Sequence, residues 1–224
     1  MINGIYLTIL CICFISSLIQ FRLLKPHLKL FSVLLGITLL TEILANLARG
    51  PLKWETNHAI YNLFMLIEYC LYAVYFKAII QNVSVRKAIN LFLYTFPVVW
   101  VVITFVLVRG LNIWNSYIII YGDAATVCMC IIYLFEVYAS DEPADLATSP
   151  EFWIAASLLM FSCCEIPYTG RLNYMVDRQQ SAALWLNITM QILNILLYLT
   201  IIYAYQCRRL TTIITKYWPT AWRA

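Results

Sequence analysis

Apolar runs of about twenty residues alternate with short polar breaks from one end of the chain to the other. An α-helix rises 1.5 Å per residue, so ~20 residues cross the ~30 Å hydrocarbon core of a bilayer. The pattern predicts seven spanning helices, at about 3–21, 30–49, 59–80, 88–108, 116–139, 152–170 and 182–206. The breaks between them, such as "RLLKPHLK", "RGPLKWETNH" and "SDEPADLATSPE", hold the prolines, glycines, asparagines and charges that stop helices. The spans leave no room for a soluble domain. The expected architecture is therefore all-α, a polytopic seven-helix bundle forming one domain over 1–206. A short basic amphipathic tail would follow over 207–224, where "RRLTTIITKYWPTAW" reads as an interfacial helix anchored by Trp218 and Trp222, or as a frayed end.

Composition supports this reading. The 224 residues are 63% hydrophobic and 12% charged, whereas soluble domains carry about 25% charged residues. The net charge of +4 comes without a basic block, so nucleic acid is not an expected partner. The opening "MINGIYLTILCICFISSLIQF" lacks the positive n-region and small-residue cleavage site of a secretory signal and reads as a retained span. Seven of the eight cysteines fall inside apolar segments and Cys207 ends one; they read as packing residues rather than a disulfide framework.

Orientation follows the positive charges. With the N-terminus outside, the inner face collects ten: Arg22, Lys25, Lys29, Lys77, Arg86, Lys87, Arg208, Arg209, Lys216 and Arg223. The outer face collects five: Arg49, Lys53, Arg109, Arg171 and Arg178. The C-terminus is then cytoplasmic.

Four acids lie within the spans: Glu42, Glu68, Asp123 and Glu165. At a helix centre each costs about 2.5–3.5 kcal/mol on insertion scales, so four together approach ~10 kcal/mol. Given the alternating directions of the helices, all four fall in the outer half of the membrane or near its midplane. Span seven offers a matching wall, because Asn187, Gln191, Asn194 and Tyr198 recur at steps of four, three and four. Tyr61, Glu68, Tyr72 and Tyr75 form a similar stripe on span three. Asn46 and Asn62 add amides, and Tyr121, Thr126 and Ser162 add hydroxyls. The inner halves of spans two, three and seven read as more apolar. The expected site is an acidic, outward-facing cavity holding Glu42, Glu68, Asp123, Glu165, Tyr72, Asn187, Gln191 and Asn194. The competing reading is that these groups pack helices together. Arg49, seven residues beyond Glu42, is an expected ion-pair partner for it, while Glu136 and Glu151 sit at helix ends where solvation is expected.

Little chemistry beyond this is written in the chain. His27 and His58, both expected in loops on opposite sides of the membrane, are too few for a zinc hydrolase, and no metal or cofactor site is expected. Span seven has no lysine for a retinal Schiff base, and there is no P-loop or GxSxG. Paired carboxylates leave an intramembrane hydrolase open without any supporting motif. A weak internal echo, "NLFMLI" at 62–67 and "NITMQI" at 187–192, with Glu-Ile late in spans two and six, fits a parallel plan of three helices, a linker helix and three more. Pro97 and Pro167 do not occupy matching places in that plan.

"SPEFWIAASLLMF" at 149–161 and "NITMQILNILLY" at 187–198 give the chain its resemblance to small bacterial seven-helix membrane proteins of unassigned function. Related modules look like sensor domains and are sometimes joined to signalling kinases. The resemblance implies a bacterial plasma-membrane protein, and because this chain ends soon after span seven, it implies a separate signalling partner. The resulting expectation is a receptor-like protein that takes a cationic or hydroxyl-rich small molecule and is not an enzyme. A small proton-coupled transporter is the first alternative and the hydrolase the second. A reporter enzyme that works only in the cytoplasm should be active when fused to the C-terminus; activity of an outside-only reporter there would invert the topology.

Overall fold

The structure, a computed structural model, describes the backbone over 2–140, 146–176 and 180–217, and side chains over 4–140, 146–171 and 188–207. Seven long helices account for nearly all of it: α1 Ile2–Gln20, α2 Pro26–Arg49, α3 His58–Ile79, α4 Val83–Val102, α5 Ser116–Tyr138, α6 Pro150–Val176 and α7 Gln180–Tyr217. There is no strand among the described residues. Each helix holds a stretch long and apolar enough to cross a bilayer, so the chain is a multi-pass membrane protein. Their large exposed side chains, among them Ile12, Ile15, Leu40, Val98 and Phe135, are apolar, as lipid-facing positions must be.

Local chemistry explains where these helices begin and end. Pro26 starts α2 from the first turn, where its missing N–H costs nothing. Asn82 caps α4 by accepting the N–H groups of Ser84 and Val85, and Asn115 caps α5 at Ile118. Pro97 sits inside α4, which continues past Val102 as a π-helical stretch over Ile103–Leu107. Pro167 sits inside α6 and leaves the Cys163 carbonyl without its usual donor. α7 runs without a break to Tyr217, so the expected boundary at 206/207 does not coincide with a helix end. Residues 218–224, with Trp218 and Trp222, lie outside the described residues.

Six helices close a ring. The principal neighbours run α1–α2–α3–α5–α6–α7 and back to α1, while α4 lies outside the ring against α3. This order maps onto itself when α1–α3 are laid on α5–α7. α4 is attached through Trp100 Nε1, which donates to the Asn62 carbonyl (3.0 Å), and through a Phe92–Phe96–Tyr121 ring stack. Asn62 itself stitches α3 to the following connection, donating to Leu111 O (2.7 Å) and Ile113 O (2.8 Å). It was expected among the polar groups of a cavity; the structure uses it to hold helices.

The α3–α5 contact depends on a missing side chain. Gly122 lies under the ring of Tyr69, where a Cβ would fall 2.5 Å from ring carbons. Gly122→Ala should therefore cost about 1–3 kcal/mol by overpacking. Unfolding in detergent measures it, and an unchanged midpoint would mean that the two helices separate freely.

A candidate ligand cavity and its carboxyl cluster

Each spanning acid has been brought into one connected group by the ring. Glu42 on α2 accepts from Tyr6 Oη on α1 (3.0 Å) and Tyr61 Oη on α3 (3.2 Å), so one carboxylate joins three helices. Arg49 makes no ion pair with it among the described residues, contrary to the expected pairing. Seven residues along a helix is ~10 Å, and the nearer phenols take both carboxylate oxygens. Glu68 accepts from Tyr72 Oη one turn along α3 (2.9 Å) and lies near both Asp123 and Glu42. Asp123 on α5 sits within side-chain hydrogen-bonding reach of Glu165 and Ser162 on α6 and of Tyr69 on α3. Asp123 is 2% exposed, yet its Oδ2 has no hydrogen-bond partner.

Glu42 and Glu165, from opposite sides of the ring, both open onto a cavity of about 370 Å³. Its wall includes Tyr6, Asn46, Arg49, His58, Tyr61, Trp114 and Tyr168, together with Met190, Gln191 and Asn194 of α7. Gln191 and Asn194 are thus part of the lining, while Tyr198, one turn deeper, is buried against Tyr6 with ring centroids 5.9 Å apart. Glu68, Tyr72 and Asp123 stand behind this wall rather than in it. Asn187 was expected beside them; its side chain lies outside the described residues. The cavity wall also contains a cation, Arg49, and an imidazole, His58, so it is not purely acidic. His58 is the first residue of α3 and His27 lies in the first turn of α2, rather than in loops. The indole nitrogen of Trp114 is buried and has no acceptor in the protein.

Sequence reading did not foresee Tyr6, Trp114 or Tyr168. Tyr6 is a phenol at the cavity end of the first span, the one clue available beforehand. The others reach the site only through helix packing.

The opposite end carries polar groups as well, at helix starts and connections beside the apolar inner halves of α2, α3 and α7. Glu151, expected to be solvated, is only 7% exposed and accepts from Lys25 Nζ and contacts His27 Nε2, both at 2.9 Å. It lies in the first turn of α6, where the helix dipole favours an acid, and the start of α2 packs over it. Glu136 receives the backbone N–H groups of Gln81 and Asn82, so it caps the α3–α4 connection instead of facing water alone. These residues line a second, larger cavity of about 890 Å³. Cysteines are free throughout, and Cys128 is exposed where Cys130 is buried, as packing positions two apart on a helix require. No group of metal-binding residues occurs among the described residues.

No family model, curated protein or solved structure matches this chain. The geometry of the site therefore has to carry the functional argument. Replacing both Tyr6 and Tyr61 by Phe removes the donors that hold Glu42, at about 1–3 kcal/mol for an unsatisfied buried group. Each single change should cost less than half of the double, because the remaining phenol still serves the carboxylate. Thermal unfolding of the three variants checks this, and strict additivity would refute a shared clasp.

Proposed function

We propose that the protein is a receptor-like, ligand-binding membrane protein of the bacterial plasma membrane, with its binding site in the cavity between Glu42 and Glu165. One observation carries this reading: two acids from opposite sides of the ring line a single polar cavity that also holds the Gln191–Asn194 face. A volume of about 370 Å³ is that of a small-molecule pocket. Helix packing alone would not leave such a space, since packing groups satisfy one another directly. Trp114 Nε1 lacks an internal acceptor and Arg49 lacks an ion-pair partner among the described residues, so both have donors to offer a ligand. The ligand is a small, hydroxyl-rich or cationic molecule, its polar end at Glu42 and Glu165, with space at Arg49 for an anionic group. A separate partner protein reads the occupied state, as the resemblance to sensor modules implies.

A second reading is favoured by the ring itself. Its neighbours repeat between α1–α3 and α5–α7, with α4 set outside, and Glu42 of α2 corresponds in this plan to Glu165 of α6. Two parallel halves around a central polar site are the plan of some small transporters. A hydrolase gains no such support from the arrangement of the ring.

Thermal unfolding in detergent against a panel of amines, amino acids and sugars tests the binding site. A compound that stabilises the wild type should bind roughly tenfold to a hundredfold more weakly to Glu42→Gln and Glu165→Gln, the loss of one charge-assisted hydrogen bond. Equal affinity in wild type and both variants would remove the site from this cavity.

A further inference from the structure

The two end cavities are nearer to each other than a membrane's thickness. Glu165 lines one and Glu151 the other, and both belong to α6. Fourteen residues separate them, or ~21 Å of helix against ~30 Å of hydrocarbon. The space between is largely apolar core, with Ile154, Leu158 and Phe31 buried in it, but a series of ionisable and hydroxyl side chains runs through that core. From the first cavity, Glu165 contacts Asp123, and Asp123 faces Glu68. Glu68 is bonded to the hydroxyl of Tyr72. From the second cavity, Glu151 contacts His27, and the His27 ring packs edge-on against Tyr75 at 6.1 Å.

Tyr72 and Tyr75 are three residues apart and share a face of α3. Phe31 of α2 packs against both, its ring centroid 6.3 Å from that of Tyr72 and 5.3 Å from that of Tyr75. Phe31 is 2% exposed, and it is the apolar ring that interrupts this series. Two buried polar atoms along this series have no partner in the protein: Asp123 Oδ2, near Glu165 and Glu68, and the fully buried Tyr75 hydroxyl beside Phe31. Orphaned polar atoms in a hydrocarbon environment cost several kcal/mol each, so both are places where a bridging water would be held.

We propose that these groups form a proton path from one cavity to the other, closed at rest by the Phe31 ring. A proton from water in the first cavity enters at Glu165 and passes to Asp123 and Glu68; the Tyr72 hydroxyl, which donates to Glu68 at rest, turns to accept from it and gives its own proton onward in the same step. Rotation of Phe31 admits water between Tyr72 and Tyr75. The proton then moves through the Tyr75 hydroxyl and His27 to water beside Glu151. Each hop breaks one O–H or N–H bond as it forms the next, and every side chain ends as it began, so one positive charge crosses per cycle. Lys25, Glu151, Tyr133, Tyr205 and Cys130 are the other ionisable groups facing Tyr75 and His27, and Lys25 holds Glu151 in place from the water side. The path needs no ligand, so it stands or falls separately from the binding reading.

Purified protein in liposomes, with a pH-sensitive dye inside and a potassium diffusion potential set by valinomycin, tests the path directly. Wild-type vesicles should acidify faster than protein-free vesicles. Tyr75→Phe, which removes one oxygen and keeps the ring, should return the rate to near that of protein-free vesicles, as should Glu68→Gln. Phe31→Ala should raise it above wild type, and Phe31→Leu, which restores apolar bulk, should not. Unfolding midpoints measured alongside verify that each variant is folded. Wild-type vesicles no faster than protein-free ones, or a flux unchanged in folded Tyr75→Phe and Glu68→Gln, would overturn the proposal.

Discussion

A carboxyl group inside hydrocarbon has no water to satisfy it, and the architecture is organised around that constraint. Glu42 meets it with two phenols from two other helices, so satisfying one acid fixes α1, α2 and α3 relative to each other. Glu68 meets it within its own helix through Tyr72. Asp123 and Glu165 meet it through each other and Ser162, which ties α5 to α6. The bundle is thus held at this end by polar contacts whose geometry is specific, and through its middle by apolar packing that alone would tolerate sliding.

The same economy appears at the opposite end, where Glu151 is anchored by Lys25 and His27 and links α6 to α2. Deeper, Tyr205 on α7 shares a hydrogen bond with Ser32 on α2 (3.1 Å). α2 and α6 each carry an acid or its partner at both ends. Each contributes to both cavities, and a movement of α2 against α6 would alter the two together. Phe31, also on α2, lies where the two polar regions come nearest.

Outside the ring, α4 has a different character. Its lipid side is apolar and its attachments, Trp100 to the Asn62 carbonyl and the Phe92–Phe96–Tyr121 stack, are aromatic. It brings no acid to either cavity lining. Such a helix can connect two three-helix halves without constraining what lies between them.

Seven apolar runs of the right length could be read directly from the sequence, because spanning hydrocarbon is a one-dimensional requirement of length and composition. The periodic Gln191–Asn194–Tyr198 face was legible for a similar reason, since helix geometry alone fixes it. What the chain could not reveal was which helices become neighbours. Arg49 is the natural partner of Glu42 along one helix, yet Tyr6 and Tyr61 take that place once α1 and α3 close around α2. Asn62 looked like a site amide and became a fastening for α4 and the 108–115 connection. Glu151 looked solvated at a helix end until α2 packed over it. Sequence determined the elements and their polar faces, because those depend on local periodicity and on lipid. The tertiary structure alone decided which acids share a cavity and which ring separates them, because those depend on contacts between residues as far apart as Tyr6 and Tyr198.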